Sequence, residues 1–342
     1  MAGSAVNGRA VRAASAPARG QAPEDLRLAM RAATLYYLDG LTQAEVAARL
    51  GVSRPTAGRL VARAKARGLV RIEVVVPDDQ RDNLHADEEE ALERRFSLTE
   101  AVVVGDSVDA GGPLEDPGSW TVVGRAAAKL LTRRLVGTDT LGFTWGPETV
   151  AVARALATGV ATCRRIVQLD GAMSTDHYQT GTEYVLGRCA EQLQARAIRL
   201  PAPLYADSAT VSSLRTDSVI SVALEAGRTA TVMMFGVGPV STSTTLFEGS
   251  FLDTTMLEKL AALGAVGEIG GRFFGADGTI LHTELADRTV SVPLEDVRVC
   301  PTSILLTGGA AKHAAALGAL RGGFARYLVC DIDCAHWLLA QK

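Results

Sequence analysis

At 342 residues, with 47% hydrophobic and 21% charged residues, the chain exceeds what one core usually serves and has the composition of a globular protein of two domains. No apolar run approaches the roughly 20 residues a membrane-spanning helix needs, so the chain reads as soluble, with no membrane partner. The net charge of −3 hides a segregation: residues 1–77 carry 12 Lys and Arg against 5 Asp and Glu, while the rest carries 23 against 33.

A basic end beside an acidic body is the pattern of a nucleic-acid contact confined to one end, because phosphate neutralisation needs cations on the docking face only. A solvated basic helix face would give the same count. Residues 1–22 hold no continuous apolar stretch and read as a disordered leader rather than a secretory signal. The five cysteines (Cys163, Cys189, Cys300, Cys330, Cys334) are odd in number and scattered, which favours reduced, buried thiols in a cytoplasm. Cys330 and Cys334 lack the second pair of a zinc site, and no metal or cofactor is expected.

Residues 23–77 read as a winged-type helix-turn-helix domain. Leu28, Ala32, Leu35 and Leu38 recur at helical spacing until Asp39-Gly40 breaks the pattern. Thr42-Gln43-Ala44-Glu45 is a capping box that opens a second helix, which runs through Val46, Ala47 and Leu50 and stops at Gly51. Ser53 caps a third helix with Pro55 in its first turn. Ala57, Leu60, Val61 and Ala64 face inward there, which leaves Arg54, Thr56, Arg59 and Arg63 outward. Two helices joined by a short glycine turn, the second basic at its start, is a geometry that reads DNA.

The expected contacts to double-stranded operator DNA are therefore Gln43, Ser53, Arg54, Pro55, Thr56, Arg59 and Arg63. Arg54, Thr56 and Arg59 lie where base edges are reached, and Gln43 and Arg63 where phosphates are. The run LVRIEVVVP at 69–77 reads as a strand or wing. Residues 78–97, charged and helix-prone, read as a linker helix that either pairs with its copy or serves as a solvated spacer.

From residue 98 to 342, apolar runs near 101, 141, 165, 197, 231, 303 and 327 alternate with helical patterns. That order predicts an α/β domain with a doubly wound, mostly parallel sheet, whose ligands bind at the carboxyl ends of the strands. Four loops there suit a ligand: Thr144 to Thr149, Gly236-Val237-Gly238, Gly264 to Glu268, and Gly308 to Lys312. None is a Walker loop or a dinucleotide fingerprint, and a glycine loop of this kind taken singly is more often a plain turn.

The segments GLTQAEVAARLGVSRPTAGRLVARAKARGLV, LGFTWG, IVQLDG, LPAPLY, FGVG, GAVGEIGGRFF, TGGAAKHAAALGALRGG and LVCDIDCA, in this order, resemble the SorC/DeoR-type family of sugar-binding bacterial transcriptional regulators over about residues 28–340. The resemblance implies an effector domain related to sugar-phosphate isomerases and deaminases, homo-oligomers (dimers or tetramers) on operator DNA, and a small carbohydrate effector. It assigns Trp145, Gly146 and Thr149 to one end of the ligand, Gln168 and Glu268 to hydroxyls, and Lys312 to a phosphate or carboxylate; Glu148, Gly236 and Gly238 of the same loops complete the expected effector site.

Two departures from the family pattern stand out. Pro147-Glu148 replaces a basic residue of the first loop, and Thr231 replaces an acid ahead of a strand end. A carboxylate at 148 repels phosphate, so a sugar phosphate and an unphosphorylated sugar or polyol both remain open. The alternative to a regulator is an isomerase- or deaminase-like enzyme with Glu268 or Asp170 as general base; it leaves the N-terminal motif unexplained.

Overall fold

The computed structural model describes residues 23–72, 84–108, 119–175, 178–179, 181–242, 245–248 and 252–342. The expected leader, residues 73–77 of the wing, 78–83 of the linker and 110–118 of a Gly/Pro-rich loop lie outside them. Two compact units divide the chain, Met1–Val76 and Pro77–Lys342.

In the first unit α1 (Pro23–Ala33) runs into one π-helical turn (Thr34–Leu38), followed by α2 (Gln43–Leu50) and α3 (Arg54–Ala66). The boundaries follow local chemistry. Thr42 and Glu45 exchange hydrogen bonds at the start of α2, with Thr42 N–H donating to Glu45 Oε2 at 2.8 Å. Gly51 ends the helix at φ +68, a conformation glycine takes without a Cβ penalty. Ala29, Ala32, Leu35, Val46, Ala47, Ala57, Leu60, Val61 and Ala64 form its core. Leu69–Ile72, the described part of the expected wing, enter no strand.

The second unit opens with α4 (Ala86–Phe96), β1 (Glu100–Val104), α5 (Thr121–Arg134), β2 (Thr140–Phe143), α6 (Pro147–Ala155) and β3 (Arg165–Gln168). Two-residue strands β4 (Ser174–Thr175) and β5 (Tyr178–Gln179) precede α7 (Thr182–Gln192), β6 (Arg196–Ile198), α8 (Ser208–Thr216), α9 (Ser218–Arg228), β7 (Val232–Gly236) and β8 (Gly238–Pro239). The remainder is α10 (Thr245–Glu248), α11 (Thr254–Ala262), β9 (Ala265–Ile269), β10 (Arg272–Gly275), α12 (Leu294–Val299), β11 (Thr302–Leu306), α13 (His313–Arg321), β12 (Tyr327–Asp331) and α14 (Ile332–Ala340).

All seven apolar runs become strands of one parallel sheet, ordered β1-β12-β11-β7-β2-β3-β6. Alternate side chains serve opposite layers. Val232 and Met234 pack with α5, α6 and α7, while Met233 and Phe235 pack with α12, α13 and α14. From β2 the sheet grows outward through β3 to β6, then returns to β7 on the other side of β2 and grows toward β12. The β2–β7 junction is thus the switch point, where the connections diverge and leave a crevice beyond the carboxyl ends. The pattern did not reveal the antiparallel sheet β10-β9-β8, nor α8 and α12.

The linker expectation needs one correction. Leu92 of α4 is fully buried in one cluster with Ala101, Val103, Ala335 and Leu338, so the helix covers the edge of the sheet instead of standing free as a spacer. Glu93 and Glu89 accept the otherwise unpaired N–H groups of Ala101 and Val103 on edge strand β1, each at 2.9 Å. Leu92→Ala should therefore lower unfolding stability by about 2–5 kcal/mol, measured by urea titration. A change inside experimental error would show that α4 does not anchor the edge.

Candidate functional sites

On the first unit, Ser53 Oγ accepts from Thr56 N–H at 3.4 Å and lies 2.8 Å from Thr56 Oγ1. Arg59 in turn donates to Thr56 Oγ1 at 3.3 Å. This cap leaves Arg54, Pro55 and Arg59 exposed on the outward side of α3. Gln43 is half-buried and folds across Gly58, its Oε1 3.2 Å from where a Cβ would stand, which seats it at the crossing of α2 and α3. Arg63 reaches Asp25 on α1 at 3.5 Å, an exposed pair worth a fraction of a kcal/mol that a phosphate can outbid. Beside them Tyr36, Tyr37, Gly40, Thr42, Gln43 and Arg54 line a concavity of ≈ 620 Å³.

In the second unit Gly146, Glu148, Gly236 and Lys312 come together at the switch point. Gly146 follows β2 and Gly236 ends β7; a Cβ on Gly146 would overlap Glu148 Oε2, and one on Gly236 would lie 2.8 Å from Glu148 Oε1. The glycines therefore make room for a carboxylate of the chain itself. Glu148, at the start of α6, is 2% exposed and pairs with Lys312 Nζ from the 3-10 turn that follows β11. Lys312 also stands 4.9 Å above the ring of Trp120, a buried residue just before α5. Burial pushes the Lys312 ammonium down to about 7.

Thr149 and Gln168 hold the loops. Thr149 Oγ1 donates to the carbonyls of Thr144 and Gly146, both at 3.0 Å, and Gln168 Oε1 accepts from Leu200 N–H at 2.8 Å. Both residues are buried, with these polar atoms committed to the backbone. Gly309 is tied down by Asp331, which accepts from Gly309, Val108 and Cys334 N–H groups at 2.9, 2.8 and 2.8 Å. Asp331 also lies with His313 and Cys334 in a group whose ligand atoms fall within 4.8 Å of one another. Three backbone donors on its carboxylate identify Asp331 as a helix and loop cap.

A second acidic group borders the first. Gly238 of β8 is paired with Glu268 of β9, and a Cβ on Gly238 would overlap Glu268 Oε1. Glu268 Oε2 accepts from Gly271 N–H at 2.7 Å, and Tyr205 Oη donates to the Gly271 carbonyl at 3.1 Å. Asp170, fully buried one residue after Leu169, accepts from Trp145 N–H at 3.3 Å. Desolvation pushes Glu268 up to about 7, and desolvation with the nearby Glu268 charge pushes Asp170 well above the usual carboxylate range. Arg272 stands near Tyr205 but donates to the carbonyls of Ser291 and Val292 at 3.0 and 3.2 Å.

Trp120, Tyr205 and Asp331 were not legible as site residues. Asp331 had the one available signal, an Asp between a strand and a helix, which is a helix-cap position. Thr231, by contrast, has no bearing on this site: it lies ahead of the N-terminal end of β7 and donates to Asp139 Oδ1 at 2.8 Å.

Residues 81–340 match the Sugar-bind family of sugar-binding domains, and residues 32–82 match the MarR family. Over 318 residues the chain is 32% identical to the deoxyribonucleoside regulator of Bacillus subtilis (strain 168), covering 92% of this chain and 98% of that protein. The erythritol catabolism regulatory protein EryD of Brucella abortus (strain 2308) is 29% identical over 323 residues, 94% of this chain and 98% of its own length. The full-length sorbitol operon regulator SorC from Klebsiella pneumoniae shares the fold, with a TM-score of 0.67 at 24% identity over 92% of this chain and 99% of that one.

The raised Glu268 has a measurable consequence. Below pH 7 the folded state keeps a proton that an unfolded glutamate, with its ordinary value of 4.5, has released. The unfolded state thus binds fewer protons in that window, so stability falls as pH rises from about 4.5 through about 7. Glu268→Gln should flatten this part of the pH profile in thermal or urea unfolding. An unchanged slope would mean that Glu268 is ionised throughout.

Proposed function

The chain belongs to the Sugar-bind family of transcriptional regulators, and we propose that its α3 inserts into the major groove of operator DNA under the control of a carbohydrate held at the β2–β7 switch point. Arg54 and Arg59 read base edges, an Arg being able to bind guanine through two hydrogen bonds. Ser53, Pro55 and Thr56 present the start of α3 to the duplex, while Gln43 and Arg63 meet phosphates, Arg63 by leaving Asp25. The observation that carries this reading is the exposed Arg54–Pro55–Arg59 face at the start of a helix capped by Ser53 and Thr56, with Arg59 held over that cap by its hydrogen bond to Thr56 Oγ1.

The effector lies among Trp145, Gly146, Glu148, Gly236, Gly238, Glu268 and Lys312, with Thr149 and Gln168 holding the loops that shape the site. The chain works as a homo-oligomer in the cytoplasm, because two DNA-reading helices one helical turn apart are needed to match a palindromic operator. We read it as a regulator and not as an isomerase-like enzyme, because the relatives it matches are named as regulators. Of the groups an isomerase would use, Glu268 accepts from Gly271 N–H and Lys312 is paired with Glu148, while the exposed α3 face has no catalytic use.

Binding to the DNA upstream of its own gene, titrated between low and moderate salt, tests the proposal. Arg54→Ala and Arg59→Ala should each weaken binding; a side chain that contacts phosphate also lowers the slope of log K against log salt by about 1, whereas loss of a base contact relaxes sequence preference. Failure of the unmodified chain to bind any such fragment at low salt would overturn it.

A further inference from the structure

We infer that the effector is an uncharged carbohydrate, an unphosphorylated sugar or polyol, because the chain supplies its own anion, the Glu148 carboxylate, to the cradle that would receive a phosphate. The inference rests on the carbohydrate-responsive reading above and narrows it to one chemical class.

The cradle has every element of an anion site. It lies at the switch point of a parallel sheet, with a glycine after β2, a glycine ending β7, a helix N-terminus at α6 and a lysine from the loop after β11. Its anion is already present. The Glu148 carboxylate fills the volume that a Cβ on Gly146 or on Gly236 would need and is paired with Lys312 Nζ, and both side chains are withdrawn from solvent, 2% and 15% exposed. A phosphate ester carries nearly two negative charges at neutral pH. To reach Lys312 it must expel Glu148 into a buried position without a counter-ion, or sit beside it against like-charge repulsion.

Among the described residues, those beside the cradle offer no compensation. On the neighbouring side stand Asp170 and Glu268, two more acids, and the guanidinium of Arg272 is spent on backbone carbonyls. Hydroxyl groups suit this environment, since ionised carboxylates accept from them and protonated ones donate to them. Glu148 is therefore a specificity-determining residue: it completes the Lys312 site from within and leaves hydroxyls as the ligand's only handles.

The test is a thermal-shift and calorimetric panel on the full chain. Sorbitol, erythritol, ribose and glucose are each compared with their monophosphates and with inorganic phosphate at constant ionic strength. At least one neutral member should stabilise the protein, and neither its phosphate nor inorganic phosphate should. Glu148→Gln frees the ammonium, so inorganic phosphate and sugar phosphates should bind this variant at least about tenfold more tightly than the parent, a gain that the added substitution Lys312→Met should abolish.

Phosphates that stabilise the parent better than their neutral counterparts would overturn the inference and leave the carbohydrate reading intact. A panel in which neither class shifts the parent would instead overturn the carbohydrate reading, and the inference with it. No gain of phosphate binding in a folded Glu148→Gln would show that Glu148 is not what excludes phosphate. Should that variant fail to fold, the parent panel still decides between the two ligand classes.

Discussion

The ion pair between Glu148 and Lys312 is the constraint around which the carboxyl end of the sheet is arranged. It joins the start of α6, which follows β2, to the turn that follows β11, and Gly236 of the intervening strand β7 gives it space. Such a pair contributes little net stability, because desolvating two charges consumes most of what their attraction returns. Removing one partner alone costs about 3–5 kcal/mol, since the other is left buried and charged. Its value is specificity: it fixes how three loops meet, and it decides what charge a ligand can bring.

The rest of the site is organised by burial of polar groups that the backbone must satisfy. Asp331 gathers N–H groups from three segments, Gln168 reaches Leu200, Thr149 closes its own loop, and Glu268 holds the Gly270–Gly271 turn. Each of these side chains has a partner on the main chain, as groups removed from water must. The consequence is a rigid rim with acids on one side and a neutralised pair on the other, suited to hydroxyl-rich ligands. Rigidity matters for a sensor, because a ligand shifts an equilibrium only by its differential affinity for two defined states.

The DNA-reading unit obeys a different logic. Its helices are short and its core is mostly alanine, valine and leucine, so hydrogen-bonded caps at Thr42 and Ser53 and the left-handed turn at Gly51 do much of the positioning. All of these interactions span three or four residues, and they leave Arg54 and Arg59 exposed on the outward side of α3. The edge of the sensing unit is finished in the same economical way, with two glutamates of α4 closing the open strand.

The sequence by itself determined the elements whose causes are local. Seven strands, the capping box, the serine cap and the glycine stop were legible because hydrophobic period and capping chemistry act within one or two turns of chain. The loops of the site were legible too, since glycines and a lysine at strand ends point to a ligand face. What Glu148 does there was decided only by the tertiary structure. A carboxylate in that loop reads as a repulsive charge until its partner is known, and that partner stands 164 residues away. The same holds for Leu92, whose burial depends on α14, and for the acids Asp170 and Glu268, whose proton affinity is set by desolvation that exists only once β3 and β9 have come together. Charge and burial are properties of an assembled neighbourhood, and the order of residues along the chain specifies that neighbourhood only through the fold.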